Sequence, residues 1–339
     1  MEKIIVQYKR YRLQKWLFVL VLLLLLGIVM GFALMTGSYQ LDGEDFIDLL
    51  QGEGDVLKRQ ILFNIRLPRI LGAVATGMIL ALSGAVMQIL LRNPLASPYT
   101  LGISNASAFG AAWGIVVLTN YVENMTYLVP LSAFGGGVIG LAIILILIQL
   151  KRATVETIIL SGVIVNSLFG AGIAVMQYVA DQVELASIVF WNFGDLGRSD
   201  WGKLFFLLLT LIPSLFYFYW KRLDYGVLAF GDDYARSMGV DPKRIRVVGL
   251  VMSAFVTSVA VSFFGVIAFV GLVVPHLVRM CIGGNEEFLL LSSTLFGGMF
   301  LLLCDTLART ALAPIVLPVG IVTSFLGVPL FLFLLIRRK

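Results

Sequence analysis

Apolar runs of about 20 residues recur down the whole chain between short polar segments, the length that a bilayer core of roughly 30 Å requires of a helix. They predict spans at approximately 17–35, 66–91, 98–119, 127–149, 157–180, 203–220, 246–265, 267–282, 288–307 and 316–336. Residues 246–282 form one long apolar stretch that must divide, and Gly265 and Gly271 are the expected break. The first span follows a basic segment, residues 1–16, but lacks a small-residue cleavage site, which predicts a retained helix. The longest polar interval on the basic side, residues 221–246, contains Leu228-Ala-Phe-Gly-Asp-Asp-Tyr-Ala-Arg-Ser-Met-Gly-Val240. Gly231 ahead of its middle and Gly239 behind bracket an expected short helix. The pattern is that of an all-α membrane protein with about ten transmembrane helices, one integral domain over residues 1–339.

Composition agrees with the pattern and charge adds an orientation. The chain is 59% hydrophobic and only 13% charged, with a mean hydropathy of +0.97, where a soluble domain carries about a quarter charged residues. With the amino terminus inside, segments 1–16, 92, 151–156, 221–246, 279–287 and 337–339 hold 18 of the 25 Lys and Arg and 8 of the 20 Asp and Glu, a net of +10. The outside is left at −5, as the positive-inside rule requires, so both termini are expected in the cytoplasm. The pI near 9.2 is then a topology signal, and no nucleic-acid partner is implied.

No charged residue lies between Arg69 and Arg92, Glu156 and Asp181, Arg246 and Arg279, or Arg309 and Arg337. Ionisable groups inside a bilayer mark proton relays and ion sites, so their absence argues against a carrier driven by a proton or sodium gradient. The nearest approach to a phosphate-binding loop, Gly197-Arg-Ser-Asp-Trp-Gly-Lys-Leu204, has Leu204 where the magnesium-binding Ser or Thr belongs and falls on the outside. His276, the only histidine, stands beside Pro275 as an expected structural hydrogen-bonding residue. Cys281 and Cys304 have no metal or redox spacing around them and are expected to pack. Nothing assembles a catalytic or metal site, so the chain is not expected to be an enzyme or to bind a cofactor itself.

Several long motifs follow one another in the chain. Arg66-Leu-Pro-Arg69 opens the second span, which continues through Gly77-Met-Ile-Leu-Ala-Leu-Ser-Gly-Ala-Val-Met-Gln88 to Arg92-Asn-Pro-Leu-Ala-Ser-Pro98. Later come Phe190-Trp-Asn-Phe-Gly-Asp-Leu196, Gly265-Val-Ile-Ala-Phe-Val-Gly-Leu-Val-Val-Pro-His-Leu-Val-Arg279, Leu317-Pro-Val-Gly-Ile-Val-Thr323 and Gly327-Val-Pro-Leu-Phe331. In this order, over roughly residues 40–336, the set strongly resembles the FecCD family of ABC-importer permeases for iron–siderophores, haem and cobalamin. The resemblance implies a type II ABC importer in a bacterial or archaeal cytoplasmic membrane. Its implied partners are a second permease subunit (a homodimer), two cytoplasmic ATPase subunits that hold ATP and Mg, and an external substrate-binding protein. An iron–siderophore or similar metal chelate is the implied cargo, with cobalamin, haem and molybdate as alternatives and a stand-alone secondary carrier as the rival class. Two positions depart from the family's pattern: Val316 replaces a frequent Glu, and Val155-Glu156 stands where the cobalamin permease has a Thr-Ser gate.

Three groups of candidate residues follow. Arg66 and Arg69 are three apart and share a helix face, either as interfacial anchors or as docking charges. The resemblance assigns them, with Arg309, to salt bridges with acids of the binding protein, although Asp305 could also pair with Arg309 one turn away. Ala229, Phe230, Gly231, Asp232, Asp233, Ala235, Arg236, Met238 and Gly239 would form the element that couples to the ATPase, with both acids at the positive end of the helix. Gly162, Asn166, Gly170 and Ala174 make a small and polar stripe on the fifth span, which either lines the translocation path or packs against another helix. Burying the Asn166 amide in lipid is costly, which favours the path. By resemblance, Asn93 and Leu95 narrow its inner mouth.

Overall fold

Thirteen α-helices run through the described residues, 2–37, 55–120, 127–151 and 154–337, of a computed structural model. They are α1 (Glu2–Met35), α2 (Val56–Leu90, with a π-helical turn at Ile61–Arg66), α3 (Ile103–Val116), α4 (Leu128–Leu150), α5 (Val155–Val179), α6 (Gln182–Asn192) and α7 (Trp201–Trp220). Then come α8 (Arg222–Ala229), α9 (Asp232–Ser237), α10 (Pro242–Phe264), α11 (Val270–Ile282), α12 (Glu286–Thr310) and α13 (Val319–Arg337). Seven of them, α1, α2, α4, α5, α7, α10 and α12, are long and apolar enough to cross a membrane. The remaining three expected spans correspond to α3, α11 and α13.

Local chemistry explains many of the boundaries. Thr154, Asp181, Asp200, Asp241 and Asn285 each cap the helix that follows, accepting backbone N–H bonds that the first turn leaves open. Asp181 and Glu184 form a reciprocal capping box that starts α6, a helix the hydropathy pattern does not predict. Residues 98–102 are not helical, and α3 starts only after Gly102, whose φ of +78° suits a glycine. The basic amino-terminal segment is helical too, so α1 is one rod of 34 residues, about 50 Å long.

α2 is the centre of the bundle, and nearly all of its apolar length is buried. α12, α11, α10 and α7 pack around it, α1 lies along α12, and α3 joins α4 and α5 on the flank. Glycines let the backbones touch. A Cβ on Gly77 would sit 2.3 Å from the Gly297 carbonyl of α12, and one on Gly84 would collide with Gly271 of α11. Gly271 is therefore a packing residue and not the expected break. The break lies at residues 265–269, between Gly265 (φ +75°) and Phe269 (φ +67°).

Residues assigned to one side of the membrane by charge meet in space. Lys15 donates to the Ile282 carbonyl and Trp16 stacks edge-on against Phe288 at the inner end. Arg66 and Arg309 reach the last carbonyls of α1 at the outer end. One expectation for the cysteines fails: Cys304 is buried, but Cys281 is exposed near the end of α11, to one side of the row formed by the buried Val278 and Ile282.

Candidate functional site

The inner polar interval folds into two helices and not one. Ala229 ends α8, Phe230 and Gly231 form an elbow, and α9 covers only Asp232–Ser237, with Met238 and Gly239 beyond it. Gly231 has φ +117° and Gly239 φ +80°, backbone that a side chain would strain. Ala235 is 0% exposed and turns into the protein. Phe230, Tyr234 and Met238 point the other way, 78%, 49% and 58% exposed, and the Phe230 and Tyr234 rings lie 5.5 Å apart. Asp233 and Arg236 are an exposed pair at 3.4 Å. Tyr234 is absent from the sequence-based coupling set, because spacing alone does not say which side of a six-residue helix is free.

Asp232 does more than face a helix dipole. Both its carboxylate oxygens accept from the Arg246 guanidinium, at 2.6 and 2.5 Å, and Arg92 stands 3.6 Å away. The bidentate bond to Arg246 is the main reason the Asp232 carboxyl titrates below the ordinary carboxylate range, with partial burial opposing it. Arg246 is itself buried, and its Nε donates to the carbonyl of Leu90, the last residue of α2, at 3.0 Å. Hydropathy marked Arg246 only as a span boundary. Beside this pair lies a cavity of about 500 Å³ shared by Arg92, Lys151, Glu156, Arg236 and Lys243, so Glu156 of the departing Val155-Glu156 pair faces the same space as α9. Asn93 accepts the Leu95 N–H at 2.9 Å and shapes a turn after Arg92, while Leu95 is exposed.

At the outer end the three arginines come together, but turned inward. Arg69 grips the fully buried Asp305 with three contacts of 2.8–3.1 Å, and Arg309 approaches the same carboxylate at 3.2 Å. Arg66 donates to the Leu34 carbonyl at 2.5 Å, and Arg309 to the carbonyls of Thr36 and Ala33. These are acceptors that the carboxyl end of α1 leaves open, and cations suit that end of a helix. All three guanidinium groups are thus engaged within the protein.

The stripe on α5 divides. A Cβ on Gly162 would lie 2.9 Å from the Leu101 Cα, so Gly162 is a packing contact with the turn before α3 and not a path residue. Asn166 packs beside it, its backbone against Gly102, with its side-chain oxygen buried and without a hydrogen-bond partner. Gly170 is more open, with only the Asn105 amide at 4.0 Å.

A second concavity lies where three of the motifs meet. Asp195 N–H donates to the Phe264 carbonyl, Val319 N–H to Gly194, and Gly320 N–H to Phe193, at 2.8–3.1 Å. Gly320 and Gly265 leave no room for a Cβ against Phe193 and Trp191. Next to this junction is a cup of about 310 Å³ lined by Tyr99, Asn192, Phe193, Ser324 and Phe325 among others. Among the described residues that line it, the Tyr99 phenol is the one ionisable group.

Residues 22–337 match the FecCD transport family. A protein of Methanocaldococcus jannaschii described as an ABC transporter permease is 46% identical over 98% of this chain and 97% of that protein. The hemin transport system permease protein HmuU of Yersinia pestis is 38% identical over 82% of this chain and 84% of its own. Among solved structures, a transporter described as of the metal-chelate ABC type, in an inward-facing conformation, superposes with a TM-score of 0.85 at 32% identity, covering 94% of this chain and 98% of the other. The chain belongs to the FecCD transport family, as an ABC-transporter permease.

Proposed function

We propose that this chain is the membrane-spanning subunit of an ATP-driven importer for an iron–siderophore or similar bulky metal chelate. It works as a homodimer with two cytoplasmic ATPase subunits and an external binding protein. One observation carries the reading: Phe230, Tyr234 and Met238 project into water around a short helix on the basic, inner side. Three large apolar side chains on one knob need a partner to cover them, and a cleft on an ATPase suits a helix this short. The outer cluster adds the opposite pole. Arg69 and Arg309 share the single Asp305 carboxylate, one positive charge more than it offsets, which attracts an acidic docking face even though both are internally bonded. Residues 38–54, with five acids, lie outside the described residues.

The cup supplies the path. An uncharged lining of phenol, amide, hydroxyl and aromatic groups suits a chelate whose metal is already wrapped, since no side chain has to replace its ligands. About 310 Å³ is at the small end for a ligand pocket, so a bulky cargo needs a second cup facing the first. Haem is the second cargo to consider, because a relative named for hemin matches at 38% identity. The test is to reconstitute the chain with its ATPase and binding protein and measure hydrolysis with ferric hydroxamates and with haem. Cargo-stimulated hydrolysis supports the reading. Uptake that persists after ATP depletion overturns it in favour of a secondary carrier.

A further inference from the structure

We propose that Arg246 is a positioning residue that ties α9 to the inner end of α2, so that movement of α9 is passed directly to the central helix. The proposal rests on the reading of α9 as the ATPase-coupling element and on that of the cup as the path. Arg246 is 2% exposed, and three hydrogen bonds from its guanidinium go to two different places. The fork of the guanidinium holds both oxygens of Asp232, the first residue of α9, and Nε holds the carbonyl of Leu90. One turn further along α10, a Cβ on Gly249 would lie 2.5 Å from Leu90 Cδ1, so α10 and α2 touch where the arginine joins them.

A buried ion pair is weak evidence for stability, because well-packed apolar residues often replace one without loss. What an apolar contact lacks is direction. A planar bidentate fork fixes the angle of α9 relative to the end of α2, and a lysine, with a point charge, does not. α2 suits the role of receiver. It is the most buried long helix, it touches α12 and α11 backbone to backbone, and its outer end is held by the Arg69–Asp305 contact. A shift imposed at Asp232 therefore enters the bundle at its least compliant member.

The test uses the complex with its ATPase and a Ser324→Cys substitution in the cup, in a background lacking Cys281 and Cys304. The readout is the change in reactivity toward a small water-soluble thiol reagent when ATP and Mg are added. In the otherwise unaltered complex the rate should change with nucleotide. R246M should retain the bound ATPase but reduce the nucleotide effect by about 5-fold or more, the lower range of a typical coupling factor. R246K should restore part of it, and D232N combined with R246M should be no worse than R246M alone. A full nucleotide effect in R246M, or losses that add in the double variant, overturns the proposal. Where R246M does not fold, R246K decides: it keeps the charge and loses the fork, and an undiminished effect overturns the proposal. No nucleotide effect at Ser324→Cys even with Arg246 intact would instead overturn the reading of the cup and of α9 on which the proposal rests.

Discussion

Tyr234 and Ala235 are neighbours on α9 with opposite surroundings, one half exposed and one fully enclosed. Substituting Arg for Ala235 should destabilise the fold by about 1–3 kcal/mol or more, because the site has no room and no partner for a charge. Truncating Phe230 and Tyr234 to Ala should leave the fold intact and weaken ATPase binding, by about 2 kcal/mol if they act as interface anchors. Size-exclusion profiles report the first effect and co-purification of the ATPase the second. A well-folded A235R that still binds, or a double truncation that binds normally, contradicts the assignment. Asp232 adds a pH dependence. Its carboxyl is held below the ordinary range by Arg246, so the contact contributes fully above the unfolded value of about 4 and is lost as pH falls through the lowered value. Hydrogen exchange of the α9 amides should therefore be equally protected from pH 8 to pH 5 apart from the intrinsic rate, loosening only in stronger acid. A loss of protection near neutrality would mean that some other group holds α9.

Glycines on α5 provide the sharpest test among the helices. Gly162→Val should force α5 from the Leu101 turn and lower stability by about 1–3 kcal/mol, while Gly170→Val, with open space beside it, should change little. Thermal unfolding in detergent compares them directly, and equal loss at both sites would show that α5 packs differently. The spacing of Gly162, Asn166 and Gly170 made a common face legible in the sequence. It could not say which neighbour that face meets, because small residues serve a path and a packed interface equally well. The same limit explains Gly271, read as a break when the true break needed the left-handed Phe269, a residue with no turn signal. Hydropathy placed the ten principal spans because lipid demands apolar length. It passed over α6 and α8, which at 11 and 8 residues are too short to register as spans, although the Asp181 and Glu184 capping box was visible. Arg246 and Asp232 are 14 residues apart on different helices, and no local rule joins them.

For the whole molecule, two apolar surfaces look alike by composition but differ in what borders them. On α7, Phe205, Leu209, Ile212 and Phe216 are exposed, and a hydrocarbon environment satisfies such a surface. On α13, Phe325, Val328 and Leu332 are exposed too, but this row adjoins the cup with Tyr99 and Asn192. Lipid tails offer these polar groups no hydrogen bonds, so this side has to face water or protein. A second copy of the chain meets both needs, since it covers the α13 row and sets two cups opposite each other. In a background lacking Cys281 and Cys304, Phe325→Cys should then cross-link two copies through a short bifunctional thiol reagent in native membranes. Ile212→Cys, at a position that is also well exposed, should not. The cross-linked species should run at twice the mass of the single chain, and its yield should fall when the ATPase cycles, because alternating access moves the facing helices apart. If Phe325→Cys and Ile212→Cys behave alike, the α13 row faces lipid, and the cup is not half of a shared path.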